Sequence, residues 1–161
     1  MTAKTIIEKL KLIRHPEGGY YRETYRCATR VASDGGKTRN TGTAIYYLLE
    51  GTDKSHFHKV ASDELWMFHQ GEPLEIIMIT MDGTVESRIL GNRMDQNEEP
   101  QFVVMANTWF AARIPAQKGY SLVSCVVTPG FDFADFELAN KDELLEFYPG
   151  LKAVIDEFCF S

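Results

Sequence analysis

Ser55-His56-Phe57-His58-Lys59-Val60-Ala61-Ser62-Asp63-Glu64 decides how this chain is read. In an extended strand alternate side chains share a face, so His56 and His58 are expected on one side and Phe57 on the other. A turn at Ala61-Ser62-Asp63 then brings Glu64 back beside them on the neighbouring strand. Two neutral imidazoles and one carboxylate form the facial set that holds a divalent metal with open coordination positions. The plainer alternative is a pair of half-exposed histidines on a strand. Apolar residues continue through Leu65-Trp66-Met67-Phe68-His69, which lays these strands against a core where unpaired polar groups are costly.

Working outward, β-type runs recur at Tyr20 to Arg26, Thr43 to Leu49, His56 to Val60, Glu64 to His69, Leu74 to Thr80 and Val85 to Leu90. They continue at Phe102 to Met105, Trp109 to Pro115, Ser121 to Val127 and Phe133 to Leu138. Turn signals such as Glu50-Gly51, Asp82-Gly83, Gly91-Asn92 and Pro129-Gly130 separate them at regular spacing. This predicts an all-β sandwich or barrel without crossover helices. Short helices bracket it. Ile6, Leu10 and Ile13 share a helical face that stops before His15-Pro16, while Asn140-Lys141-Asp142-Glu143 resembles a capping box leading into Leu144-Leu145.

The chain has 161 residues, 44% of them hydrophobic, which suits one domain over 1–161 with a barrel core at about 20–138. Net charge is −6 with dispersed basic residues, so the electrostatic footprint of a nucleic-acid binder is missing. The first residues lack the apolar run of a signal peptide and no later run reaches membrane-spanning length, so a cytoplasmic protein off the membrane is expected. Cys27, Cys125 and Cys159 are odd in number and widely spaced, which suggests neither disulfides nor a structural zinc site. Cys125 reads as a small core residue.

Gly51, then four residues, His56-Phe57-His58, five residues, Glu64, six residues, Gly71 resembles the first motif of the cupin superfamily, each outer gap being one residue off its common spacing. His15-Pro16-Glu17-Gly18-Gly19-Tyr20-Tyr21-Arg22-Glu23-Thr24-Tyr25, with Ser62-Asp63-Glu64-Leu65-Trp66 and Gly71-Glu72-Pro73-Leu74, is similar to one small sugar-epimerase-like family of cupins without a settled activity. The resemblance covers residues 12 to 138. It implies a double-stranded β-helix, or jelly roll, with a pocket inside one barrel end, and a homodimer; pairing also covers exposed sheet edges. One departure stands out. The second cupin motif usually supplies a further histidine after a Pro-x-Gly turn, but here the stretch reads Met105-Ala106-Asn107-Thr108-Trp109-Phe110. Asn107 tolerates the left-handed backbone that Gly would adopt, whereas Phe110 cannot ligate a metal.

Other positions carry two readings each. Glu17 reaches a pocket mouth if Gly18-Gly19 lets the backbone approach a ligand; otherwise the glycines only turn helix into strand. Tyr21 and Glu23 share one face of their strand and Tyr20 and Arg22 the other, with the inward face undecided. Trp66, Phe68 and Phe110 wall the expected pocket or fill the barrel. His69 has the opposite parity to Glu64 and belongs outside; Arg113 binds an anionic group or lies on the surface.

The expected function is that of a small-molecule cupin, epimerase- or isomerase-like, acting on a sugar or nucleotide sugar. In one mechanism His56 or His58 removes a proton next to a carbonyl and Tyr21 returns one, with Glu17, Glu23, Trp66, Phe68 and Phe110 around the substrate. In the other, His56, His58 and Glu64 hold one divalent ion, Fe, Mn, Ni or Zn. A binding or storage cupin without turnover is the alternative from a different class.

Overall fold

The computed structural model describes residues 1–160; Ser161 lies outside them. Helix α1 (Ala3–Leu10) is followed by strands β1 (Ile13–Arg14), β2 (Tyr20–Arg26), β3 (Arg30–Ala32), β4 (Thr38–Asn40), β5 (Thr43–Glu50) and β6 (Lys54–Val60). Then come β7 (Asp63–Gly71), β8 (Leu74–Ile79), β9 (Val85–Leu90), β10 (Gln101–Val104), β11 (Trp109–Arg113), β12 (Tyr120–Thr128) and β13 (Phe136–Leu138). Helices α2 (Lys141–Phe147) and α3 (Lys152–Phe158) close the chain. No helix among the described residues is long and apolar enough to cross a membrane.

A six-stranded sheet, β1-β2-β5-β12-β7-β10, faces a five-stranded one, β13-β6-β11-β8-β9, while β3 and β4 form a separate hairpin. Every strand pairing is antiparallel. This is the double-stranded β-helix expected. Tyr47, Leu49, Trp66, Ile76, Met78, Phe110 and Val123 fill the space between the sheets. The outer faces are covered too, which explains the runs Tyr46 to Leu49 and Ile76 to Ile79, apolar at every position instead of alternating. Leu48 and Leu122 pack outward on Ala3 and Ile6 of α1, and Phe57, Ile77 and Ile79 pack outward on Leu144, Ile155 and Phe158.

Local chemistry sets the boundaries. Thr2 caps α1 by accepting the Thr5 N–H. The helix ends earlier than its periodicity suggests, because Lys11 takes a left-handed conformation (φ 54°) and Ile13 leaves to pair with Tyr21 in β1, where it is exposed. Asn140 caps α2 as read, accepting the Asp142 and Glu143 N–H groups. Asn107 sits at φ 61°, the conformation expected in place of glycine. Strand β13 begins three residues later than expected, since a 3-10 turn over Phe133–Asp135, with the Ala134 N–H bonded to Asp132, precedes it.

One irregularity alters the site. Against β11 the pairing runs from Phe110 opposite His58 to Ala112 opposite Ser55, so three steps of β6 match two of β11. The extra residue is a β-bulge, and it breaks the alternation on which the shared face of His56 and His58 depended.

The fully buried Phe57 meets the Phe158 ring edge-on at 5.8 Å, joining β6 to the C-terminal helices. Phe57→Ala is expected to cost about 3–5 kcal/mol in guanidinium unfolding; a loss below about 1 kcal/mol would show that the helices do not depend on this face.

Candidate functional site

A cavity of about 600 Å³ opens at one end of the barrel. Strands β2, β5, β6, β7 and β12 wall it, and the segment Phe131 to Phe136 crosses its mouth. At its centre stands Glu17, carried inside by the turn between β1 and β2. Gly18 and Gly19 have φ of +112° and +70°, and a Cβ at Gly18 would lie 2.0 Å from the Lys54 carbonyl oxygen. The glycines turn the chain, and they also let its backbone press against β5 and β6, which carries Glu17 into the cavity.

The Glu17 backbone is clamped. Its carbonyl accepts the His56 N–H at 2.8 Å and the His56 Nδ1–H at 2.7 Å. Its own N–H donates to His15 Nδ1 at 3.2 Å, and the Tyr47 hydroxyl donates to the next carbonyl, Gly18 O, at 2.7 Å.

The carboxyl, 5% exposed, accepts the Ser55 hydroxyl on Oε1 at 2.9 Å. Its Oε2 lies 3.1 Å from His58 Nε2 and 3.5 Å from His15 Nδ1. Hydrogen bonding assigns the protons. His58 Nδ1 is 2.8 Å from the His56 carbonyl, which only accepts, so Nδ1 bears the hydrogen and a neutral ring leaves Nε2 bare. The Nε2 to Oε2 contact then requires one proton, on the acid or on the imidazole. Burial favours the uncharged pair: it raises the Glu17 carboxyl above its ordinary value and pushes the His58 imidazole down to about 4. By the same logic His15, whose Nδ1 accepts the Glu17 N–H, carries its proton on Nε2, and burial lowers it too.

Glu64 lines the cavity as a second buried carboxyl. Burial first, and then the neighbouring Glu17 charge, push it up to about 8. Trp66 lies beside it with its indole Nε1–H buried and facing the Glu64 carboxyl. Cys125 also lines the floor, where burial raises its thiol well above the ordinary range.

The structure brings Glu17, Tyr21, Glu23, His58, Glu64 and Trp66 to one cavity. Tyr21 and Glu23 of β2 both line the cavity, Arg22 reaches it as well, and Tyr20 packs with the residues of α1. Three expected residues are corrected. His56 does not line the cavity: past the bulge its ring bonds the Glu17 carbonyl and stacks on Phe160 at 3.6 Å, so it positions Glu17 from behind. Phe110 is buried in the core with its ring 4.1 Å from that of His58, and Phe68 packs against the same core away from the cavity. His69 lies outside as expected, bonded to Ser124, and Arg113 is held by Glu75 and Glu157.

The metal set His56, His58 and Glu64 does not converge. His56 is turned away, the free nitrogen of His58 is taken by Glu17, and among the described residues no group of three or more His, Cys, Asp or Glu is arranged to hold a metal ion. The donors present do not fit a divalent cation.

Sequence reading missed His15, Ser55 and the mouth aromatics Phe131, Phe133 and Phe136. Ser55 was hidden by the bulge. An imidazole directly before the Pro16-Glu17-Gly18-Gly19 turn was the available signal for His15.

A jelly roll whose barrel end holds inward carboxyl and imidazole groups defines a cupin-type pocket. The chain belongs to the family described as Cupin superfamily (DUF985), whose pattern matches residues 4–139. It is 32% identical over 154 residues to the uncharacterized protein YML079W of Saccharomyces cerevisiae, covering 86% of this chain and 76% of the yeast protein. Among solved structures, a hypothetical protein from Leishmania major superimposes with a TM-score of 0.94 at 37% identity, over 100% of both chains. Protein SO0799 from Shewanella oneidensis gives 0.91 at 39%, over 99% of this chain and 98% of that one. Oxalate decarboxylase from Bacillus subtilis shares the fold alone, with a TM-score of 0.57 at 14% identity over 90% of this chain and 36% of that one.

The buried carboxyls make stability depend on pH. Glu64 binds its proton more tightly folded than unfolded, so its contribution is full below its ordinary value and is lost as pH rises through about 8. His58, lowered to about 4, works oppositely, adding stability as pH rises from about 4 to its ordinary value and nothing further above it. Between about pH 6.5 and 8 the wild type should therefore lose up to about 2 kcal/mol, at 1.4 kcal/mol per pH unit. Glu64→Gln should flatten that slope in urea titrations; an unchanged slope would remove Glu64 as its source.

Proposed function

We propose that this protein is a small-molecule cupin enzyme that moves a proton next to a carbonyl, an isomerase- or epimerase-type reaction on a sugar or related enolisable compound. The observation that carries this reading is the Glu17 to His58 contact at 3.1 Å, in which one proton serves two buried groups.

In the resting state Glu17 holds that proton. Its transfer to His58 Nε2 leaves a carboxylate and an imidazolium, and the carboxylate takes the proton from the carbon beside the carbonyl. The developing oxyanion receives a proton from Glu64, whose affinity near pH 8 suits donation and recovery close to neutrality. Charge balances, with His58 protonated and Glu64 ionised beside a neutral enol; the reverse steps return the proton to carbon. Tyr21, edge-on to His15 at 4.5 Å, shapes the wall beside this pair. Ser55, His15 and His56 fix the acid without entering the reaction.

The test is solvent deuterium exchange into D-fructose, D-tagatose and dihydroxyacetone, followed by proton NMR. The wild type should label the carbon beside the carbonyl, and Glu17→Gln should lower that rate by about 10²–10⁴-fold. Thermal stabilisation by these compounds without any labelling would assign the cavity to binding and overturn the catalytic reading.

A further inference from the structure

The floor and mouth of the cavity differ in chemistry. At the floor the Glu17 and Glu64 carboxyls and the His58 and His15 imidazoles are buried, which disfavours the charged form of each. Charged side chains line the rim. Arg26 is spent on Glu23 (2.9 and 2.7 Å), Asn40 (2.9 Å) and the Phe131 carbonyl (3.1 Å). Lys11 completes that rim, while Arg22 reaches the cavity with a buried Nε that has no hydrogen-bond partner among the described residues.

Between floor and rim stands a collar of rings. Phe131 and Phe133 meet at 5.0 Å and 83°, and Phe133 and Phe136 at 6.1 Å and 78°. His15 lies 6.3 Å from Phe133 and 5.9 Å from Phe136, and Tyr21 meets His15 edge-on at 4.5 Å. Edge-to-face rings of this kind leave faces and edges for a further ring to pack against. Phe133 is 51% exposed and Ile13, at the same mouth, 61%, an apolar surface left in water on either side of the opening.

The collar is also prebuilt. The segment that carries it is tied down at Phe131, whose N–H donates to Thr43 (2.9 Å), and at Asp135, which binds Arg39 (2.6 and 2.9 Å) and Lys37 (2.9 Å). Little ordering remains to be done when a ring enters.

From this collar we infer that the ligand is a carbonyl compound bearing a planar, unsaturated ring, with the ring among Phe131, Phe133, Phe136 and Tyr21 and the carbonyl toward Glu17. The inference narrows the substrate class of the proposed acid–base site, and rests on that reading only for the orientation of the carbonyl.

Calorimetric titration with four probes tests it: 1-phenylpropan-2-one, its saturated analogue 1-cyclohexylpropan-2-one, D-fructose and D-fructose 6-phosphate. The aromatic ketone should bind most tightly. Phe133→Ala, at a half-exposed ring whose loss spares the fold, should weaken that binding by about tenfold while leaving D-fructose affinity within twofold. Tighter binding of either sugar, equal binding of the cyclohexyl ketone, insensitivity to Phe133→Ala, or no binding of the aromatic ketone would overturn it. Deuterium exchange separates the two readings. Collar-dependent binding of the aromatic ketone without labelling sinks the acid–base chemistry and keeps the ligand class. Labelling of D-fructose without binding of the aromatic ketone does the reverse.

Discussion

A carboxyl group taken out of water has to be neutralised or partnered, and in this barrel Glu17 is both. The desolvation of a lone carboxylate would cost several kcal/mol, so the arrangement around it is built to supply a hydroxyl, an imidazole nitrogen and a proton to share. Each partner comes from a different part of the chain: Ser55 and His58 from β6, His15 from the stretch before the turn, and His56 through the backbone. The placement of Glu17 depends in turn on two glycines, because only a residue without Cβ lets the turn touch the Lys54 carbonyl.

The bulge in β6 is what lets this cluster form. Without it, Ser55 would share a face with Phe57 and look outward toward the terminal helices. With the extra residue, Ser55 and His58 both reach Glu17, and Phe57 still anchors α3. The same distortion takes His56 off the cavity and gives its ring to the Glu17 carbonyl, so a sequence pattern that resembles a metal motif serves here to hold an acid in place. Phe110, where related motifs carry a histidine, packs its ring against His58 and excludes water from the back of the pair.

Burial also sorts the cavity by charge. Burial disfavours the charged forms of the groups at the floor, whereas Arg26 at the rim is paired with Glu23. Buried acid and imidazole groups inside, with aromatic rings between them and the opening, follow from depth in the barrel and shape what can enter.

Period-2 alternation and turn spacing made most of the barrel legible: β2 and β9 fall where the pattern puts them, and Asn140 and Asn107 behave as their side chains predict. The short strands β1, β3 and β4 escaped because two or three residues are too few to show a period. Glu17, Tyr21, Glu23, His58, Glu64 and Trp66, named from sequence, all line the cavity, since each is a polar or aromatic residue beside a patterned strand or turn. His56, Phe68 and Phe110 were misassigned to the pocket, and His15, Ser55 and the Phe131 to Phe136 collar were missed. Local sequence determines which residues alternate and where the chain turns, because those depend on each residue's own sterics and hydrogen bonding. Where an extra residue is absorbed, which imidazole meets the buried acid and which group keeps the proton are decided by strands far apart in sequence, and only their packing removes the water that would otherwise charge them.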